Sequence, residues 1–302
     1  MPLFGPLVAY PPTPRTADGD VDTHALGTLV ERAVSAGVSG VAVLGSTGGF
    51  AYLDRAQRRT VVAAAVEAVG GRVPVMAGVG ALATADVLDH AADARAAGAD
   101  AVLVPTMSYL PLTEDEVLGL IATVAARGGL PVWAYHNPVS TGFDYSVDLL
   151  ARVAALPGVG GVKDRGRDLD DLRTRVAALG ARLPAGVEIG FSGDVLGAEA
   201  LIAGARTWHS GLAGVLPEWY VAVAQEAAAG RVDPARALMD RLGAFATLVM
   251  THGGPRAVHA VAALRGTPAG ALPAPLLPPS PDVVDLLARG LETLGEPVPP
   301  IG

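Results

Sequence analysis

The strongest constraint on this chain is an alternation that repeats from its start to about residue 230. Short β-branched apolar runs are each followed by an alanine-rich amphipathic stretch. The runs are Leu7–Tyr10, Gly40–Leu44, Val73–Ala77, Ala101–Val104, Val132–His136, Gly160–Lys163, Val187–Phe191 and Thr207–Ser210. Between and after them lie helical patterns: Thr23–Ala36, Arg55–Val69, Ala85–Ala97, Glu114–Ala126, Ser146–Ala155, Asp168–Leu179, Val195–Ala203 and Glu218–Ala229. Nearly continuous apolar strands, each followed by a helix, predict a parallel sheet covered on its outer face. The segments SAGVSGVAVLG, AAGADAVLV and IAGARTWHS share one punctuation, a glycine after the last helical turn and then a strand. Eight such units with no obvious edge strand predict a closed (β/α)8 (TIM) barrel over residues 1–230 rather than a doubly wound sheet.

Residues 231–302 carry no comparable strand. Pro234–Ala246, Arg256–Leu264 and Asp282–Leu294 read as helices, the last after the Pro-rich segment ALPAPLLPPSP. This predicts a C-terminal helical appendage on the barrel. The 302 residues include no cysteine, which excludes disulfides, thiolate metal sites and a cysteine nucleophile. A formal net charge of -8 argues against nucleic acid or an anionic membrane as partner. Apolar runs are all broken well short of a membrane span, and the start lacks a basic leader pattern, so the expected location is the cytoplasm.

In barrels of this kind, chemistry sits at the carboxyl ends of the strands. Those ends read GSTGG (45–49), PTMSYLP (105–111), YHNP (135–138), VKDRG (162–166), FSGD (191–194) and WHSG (208–211). Among 22 Lys plus Arg residues the chain keeps a single lysine, Lys163, and it lies in this set. Guanidinium cannot condense with a carbonyl, whereas a desolvated amine can form a Schiff base. The apolar run VGGV before Lys163 provides that desolvation, although pairing with Asp164 is an alternative role for a buried lysine. Tyr135 ends the preceding strand, where a phenol can shuttle protons. The turn Gly45–Gly49 exposes consecutive N–H groups suited to a small carboxylate and lacks both the dinucleotide and the P-loop pattern. His24, His90, His252 and His259 show no metal-ligand spacing, so neither a metal nor an organic cofactor is expected.

GSTGG, YHNP, GVKD and the downstream SGD, in this order, resemble the dihydrodipicolinate synthase and N-acetylneuraminate lyase family of Schiff-base aldolases. The resemblance spans essentially the whole chain. It implies a lyase that holds pyruvate or a related 2-keto acid as an imine on Lys163, with Tyr135 as proton relay hydrogen-bonded to Thr47. It further implies that Ser46 and Thr47 bind the keto acid's carboxylate. Tyr109 matches a tyrosine that family members lend across a dimer interface, so a homo-oligomer, a dimer or tetramer, is expected. Asp194 and Ser210 fall where relatives contact the distal part of the substrate.

The departures narrow the reading. Gly49 stands where the family usually has Glu, and Ser108 replaces the first residue of a tyrosine pair. Ser140 replaces the arginine with which dihydrodipicolinate synthases clamp their aldehyde's carboxylate, and losing such a clamp costs a few kcal/mol. The chain is therefore not expected to be a true dihydrodipicolinate synthase. Arg165 and His209 are unusual for the family; the first either meets an anionic substrate tail or is a solvated loop residue, and the second either faces the imine or is a satisfied structural histidine. Two other readings stay open: a keto-deoxy sugar-acid dehydratase of the same family, and a non-catalytic keto-acid binding protein.

Overall fold

The computed structural model describes residues 2–297. Eight parallel strands close into one barrel in chain order, each hydrogen-bonded to its sequence neighbours, with β1 joined to β8. The order is β1 (Leu7–Ala9), α1 (Thr23–Ala36), β2 (Gly40–Val43), α2 (Arg55–Val69), β3 (Val75–Gly78), α3 (Thr84–Ala96), β4 (Ala101–Pro105) and α4 (Glu114–Arg127). Then come β5 (Val132–Tyr135), α5 (Pro138–Thr141), α6 (Val147–Ala154), β6 (Val159–Asp164), α7 (Leu169–Gly180), β7 (Glu188–Ser192), α8 (Gly197–Ile202), β8 (Thr207–Ser210) and α9 (Pro217–Ala228). The helices α10 (Val232–Thr251), α11 (Pro255–Leu264) and α12 (Pro281–Leu294) follow.

Every strand expected from the sequence is present, and the differences lie at the ends. Ser146 and Asp168, read as helical, are instead N-caps whose side chains accept from the backbone N–H three residues on. The short helix α5 was not anticipated; it begins with Pro138 at its first turn, where no N–H partner is needed. Helix α10 runs past the expected Ala246 to Thr251 and includes Pro234 in its first turn for the same reason. The predicted appendage runs to 302, and its last five residues lie outside those described.

Strand alternation divides the apolar side chains into two cores. Val41, Val43, Val102, Val104, Val132 and Val162 point outward and pack under the helices. Phe4, Val8, Tyr10, Met76, Leu103, Trp133 and Tyr135 fill the barrel interior. Two glycines make room for the large inward groups. A Cβ on Gly161 would come within 2.6 Å of the Trp133 ring, and one on Gly190 within 2.3 Å of His209 Nε2. The amphipathic α10 packs on α9 and α12, and α11 on α12, which brings the last helices alongside the barrel.

One backbone feature positions the loop after β2. Leu44 adopts a left-handed conformation, φ 60, which is uncommon for a branched residue. The turn is held by a close approach: the Leu44 carbonyl oxygen lies 1.9 Å from where a Cβ on Gly78 would be. Substituting Gly78→Ala must displace that carbonyl and with it the turn carrying Ser46 and Thr47. We expect a loss of about 1–3 kcal/mol in stability by denaturant unfolding; an unchanged midpoint would contradict the packing described.

Candidate active site

Register places the central pair. Tyr135 on β5 is directly opposite Lys163 on β6, and Lys163 is opposite Gly190 on β7. Lys163 points into the barrel and is 5% exposed. Its Nζ lies 3.8 Å from the centre of the Tyr10 ring and 4.2 Å from that of Tyr135. Burial lowers the Lys163 amine from the usual lysine range to about 7, with Asp194 pulling the other way. The same burial raises Asp194 above the ordinary carboxylate range, against the opposing pull of Ser210, the Leu212 N–H and Lys163.

The alternative pairing of Lys163 with Asp164 is not made. Asp164 points outward, fully buried, and accepts from Arg175 through Nε at 2.8 Å and Nη2 at 3.0 Å. His136 Nδ1 lies 2.6 Å from the same carboxylate. Adjacent residues on one strand thus face opposite sides of the barrel wall. The negative charge beside Lys163 in sequence is neutralised elsewhere, and the amine keeps its desolvated position.

Above Lys163 a cavity of about 530 Å³ opens at the strand ends. Ser46, Thr47 and Tyr135 line its floor, with Val139, Ser140 and Thr141 of α5 on one wall. Lys163 is one side chain deeper, against the ring of Tyr135. The Tyr135 hydroxyl accepts from Asn137 Nδ2 at 2.8 Å and lies 3.5 Å from Ser46 Oγ. Its own proton is therefore free for Ser46 or for a guest in the cavity. The expected bond from Tyr135 to Thr47 is absent; Thr47 Oγ1 turns toward Gly211 instead, 2.8 Å from where a Cβ there would stand.

Of the expected substrate-binding residues, Ser46 and Thr47 line the cavity, whereas Arg165, Asp194, His209 and Ser210 do not. Ser210 donates to Asp194 Oδ1, which also accepts from the Leu212 N–H at 3.1 Å, so both are tied into the wall below. Of the two readings of His209, the structure matches the satisfied structural one rather than the one that faces the imine: the ring is enclosed, with Nδ1 2.9 Å from the Tyr10 hydroxyl and Nε2 2.8 Å from Thr207 Oγ1. Burial, then Lys163, holds its imidazole well below the ordinary histidine range. Tyr10 touches both groups, its ring 3.8 Å from Lys163 Nζ and its hydroxyl 2.9 Å from His209 Nδ1. Arg165 Nη1 donates to Asn137 Oδ1 at 3.0 Å. Tyr109 is 91% exposed on the loop after β4. Asn137 was overlooked in the sequence although YHNP contains it; a polar residue two positions after Tyr135 was the available signal. Among the described residues no group of three or more His, Asp or Glu is placed to hold a metal, and no helix is long and apolar enough to cross a membrane.

Fold and site together define a (β/α)8-barrel lyase with its reactive groups at the strand ends. The chain belongs to the dihydrodipicolinate synthetase family, whose model matches residues 3–293. It is 36% identical to an uncharacterized DapA-like lyase of Halobacterium salinarum over 86% of this chain and 84% of that one. It is 34% identical to a 4-hydroxy-tetrahydrodipicolinate synthase of Xanthomonas campestris pv. campestris, over 92% and 90% of the two chains. Among solved structures it is similar to a dihydrodipicolinate synthase of Agrobacterium tumefaciens, with TM-score 0.93, 36% identity and coverage of 97% and 98%. It is also similar to a prophage protein of the dihydrodipicolinic acid synthase family from E. coli K12, solved in complex with pyruvate. That match has TM-score 0.90, 25% identity and coverage of 97% and 99%.

Two stability predictions follow from the opposite sides of β6. The unfolded chain protonates Lys163 at the ordinary lysine value of 10.5, the native chain at about 7. Between these values the unfolded state holds a proton that the native state lacks, so stability rises with pH across that window. Lys163→Met should therefore stabilise the protein by a few kcal/mol, roughly, at pH 6 and progressively less toward pH 10.5. A gain independent of pH would contradict a desolvated amine. On the outer side, Arg175→Met should destabilise by about 3–5 kcal/mol in chemical unfolding, because the buried Asp164 charge loses its partner; a neutral effect would show that charge to be held otherwise.

Proposed function

We propose that the protein is a Schiff-base lyase acting on pyruvate or a related 2-keto acid through Lys163. The observation that carries this reading is the only lysine of the chain, buried against the tyrosine that lines the cavity, where burial lowers its amine to about 7. The neutral amine attacks the keto carbon, and a proton moves from nitrogen to the former carbonyl oxygen to give a carbinolamine. Loss of water from that adduct leaves the imine, which serves as an electron sink for making or breaking a carbon–carbon bond, or for losing water from the substrate. Tyr135 carries the protons, and its acceptor side is already occupied by Asn137, so its own hydrogen is available to the adduct. Arg165 fixes Asn137 and so acts as a positioning residue in this scheme.

Ser46 and Thr47, in the turn after β2, hold the keto acid's carboxylate. Asp194, held by Ser210, pulls on Lys163 only weakly because burial draws it toward its neutral form, and His209 bonds the hydroxyl of Tyr10, whose ring meets the amine. Pyruvate complexes of similar structures, from Acinetobacter baumannii and E. coli K12, support the substrate class. Ser140 offers no carboxylate clamp and bonds to Asn137 instead, which favours an activity other than that of a true dihydrodipicolinate synthase. Removal of water from a hydroxylated keto acid is the second reading, favoured by a cavity larger than a three-carbon acid needs. Tyr109, Leu110 and Leu82 are exposed on neighbouring loops and would be covered in a dimer or tetramer, the state we assign to a protein of the cytoplasm.

Incubation with pyruvate and borohydride should add one pyruvyl mass to the peptide carrying Lys163 and none in Lys163→Arg. Modification confined to the N-terminal amine would overturn the assignment. Tyr135→Phe should slow trapping by about a hundredfold or more; an undiminished rate would remove Tyr135 from the proton path.

A further inference from the structure

The cavity does not end at the barrel. From Ser46, Thr47 and Tyr135 it extends to Arg256 and His259 on α11, and to Leu272, Pro273 and Leu276 in the Pro-rich segment after it. A volume of about 530 Å³ is within the range of sites for whole ligands and leaves room beyond a keto acid's head.

Arg256 is half-buried and makes no salt bridge or side-chain hydrogen bond among the described residues. Many other arginines of the chain, Arg32, Arg55, Arg72, Arg173 and Arg236 among them, are paired with carboxylates. The Arg256 guanidinium folds back over Gly253, with Nη1 3.5 Å from where a Cβ there would stand. His259 is one turn further along the same face of α11. Its Nδ1 is buried without a partner. Burial lowers its imidazole to about 4 against the opposing pull of the Gly270 backbone, so the ring is neutral near pH 7. With its one N–H directed to the Gly270 backbone, the neutral ring leaves Nδ1 as an acceptor for a hydroxyl. An unpaired cation and an imidazole nitrogen free to accept thus face one cavity, together with the positive end of α11.

We propose that Arg256 forms a distal subsite for a second carboxylate at the far end of the keto acid bound at Lys163, with His259 beside it to accept from a hydroxyl of the same substrate. The proposal rests on the imine reading above and narrows its substrate to 2-keto acids with two acidic ends. A single guanidinium matches one negative charge and binds a planar carboxylate through two parallel N–H groups. It also supplies from α11 the cation that Ser140 on the β5 side does not.

The test is the half-saturating concentration for borohydride trapping on Lys163, measured for two pairs of keto acids. The dicarboxylates 2-oxoglutarate and 2-oxoadipate are set against 2-oxopentanoate and 2-oxohexanoate, which match them in length but lack the second charge. The dicarboxylates should half-saturate at about tenfold lower concentration, the scale of a charge-assisted hydrogen bond. That ratio should fall to near one in Arg256→Gln and recover in part in Arg256→Lys. Equal half-saturation for both classes in the natural protein, or a preference that survives Arg256→Gln, would overturn the subsite. If no keto acid is trapped at all, the imine reading fails by itself. Calorimetric binding of glutarate then decides the subsite separately: binding lost in Arg256→Gln supports it, and no binding to the natural protein refutes it.

Discussion

The site depends on taking one ammonium group out of water and giving it no close counter-charge. Lys163 is enclosed by the rings of Tyr10 and Tyr135, whose faces tolerate a cation but do not replace its hydration. Asp194 is the acidic group that pulls on it, and Asp194 is itself buried and drawn toward its neutral form. Each group is thereby kept from fully stabilising charge on the other. The amine is left near the point where it loses its proton at neutral pH.

Strand geometry makes this arrangement stable. Along β6 the side chains alternate, so Gly161 and Lys163 face the interior while Val162 and Asp164 face the helices. Asp164 is consumed by Arg175 of α7 and by His136, and cannot quench the lysine next to it. On β8, Thr207 and His209 face inward beneath Tyr10, where Gly190 leaves them space. The interior below the amine is thus a hydrogen-bonded floor rather than a second reactive layer. That explains why His209 does not reach the cavity.

The architecture was legible because it is periodic. Strand-length apolar runs recur eight times, several of them after a glycine that ends the preceding helix, and the closed barrel follows from their number. Lys163 and Tyr135 were legible for a different reason, since each ends a strand and the register sets them side by side. What the sequence concealed depends on side-chain direction and on contacts across long loops. Thr47 turns to Gly211 rather than Tyr135, and Asp194 with Ser210 closes the wall rather than lining it. His259 carried no spacing signal because its relation to the cavity arises only when α11 and the Pro-rich segment fold over the barrel mouth.

With a single lysine in the chain, protein grown on lysine labelled with carbon-13 at Cε and nitrogen-15 at Nζ contains one side-chain ammonium to observe. Its NMR titration reads the protonation of Lys163 without substrate, activity or mutation. The account predicts a midpoint near 7, more than three units below the ordinary lysine value of 10.5. A midpoint close to 10.5 would mean that the amine is solvated or fully paired, and would contradict the chemistry assigned to it.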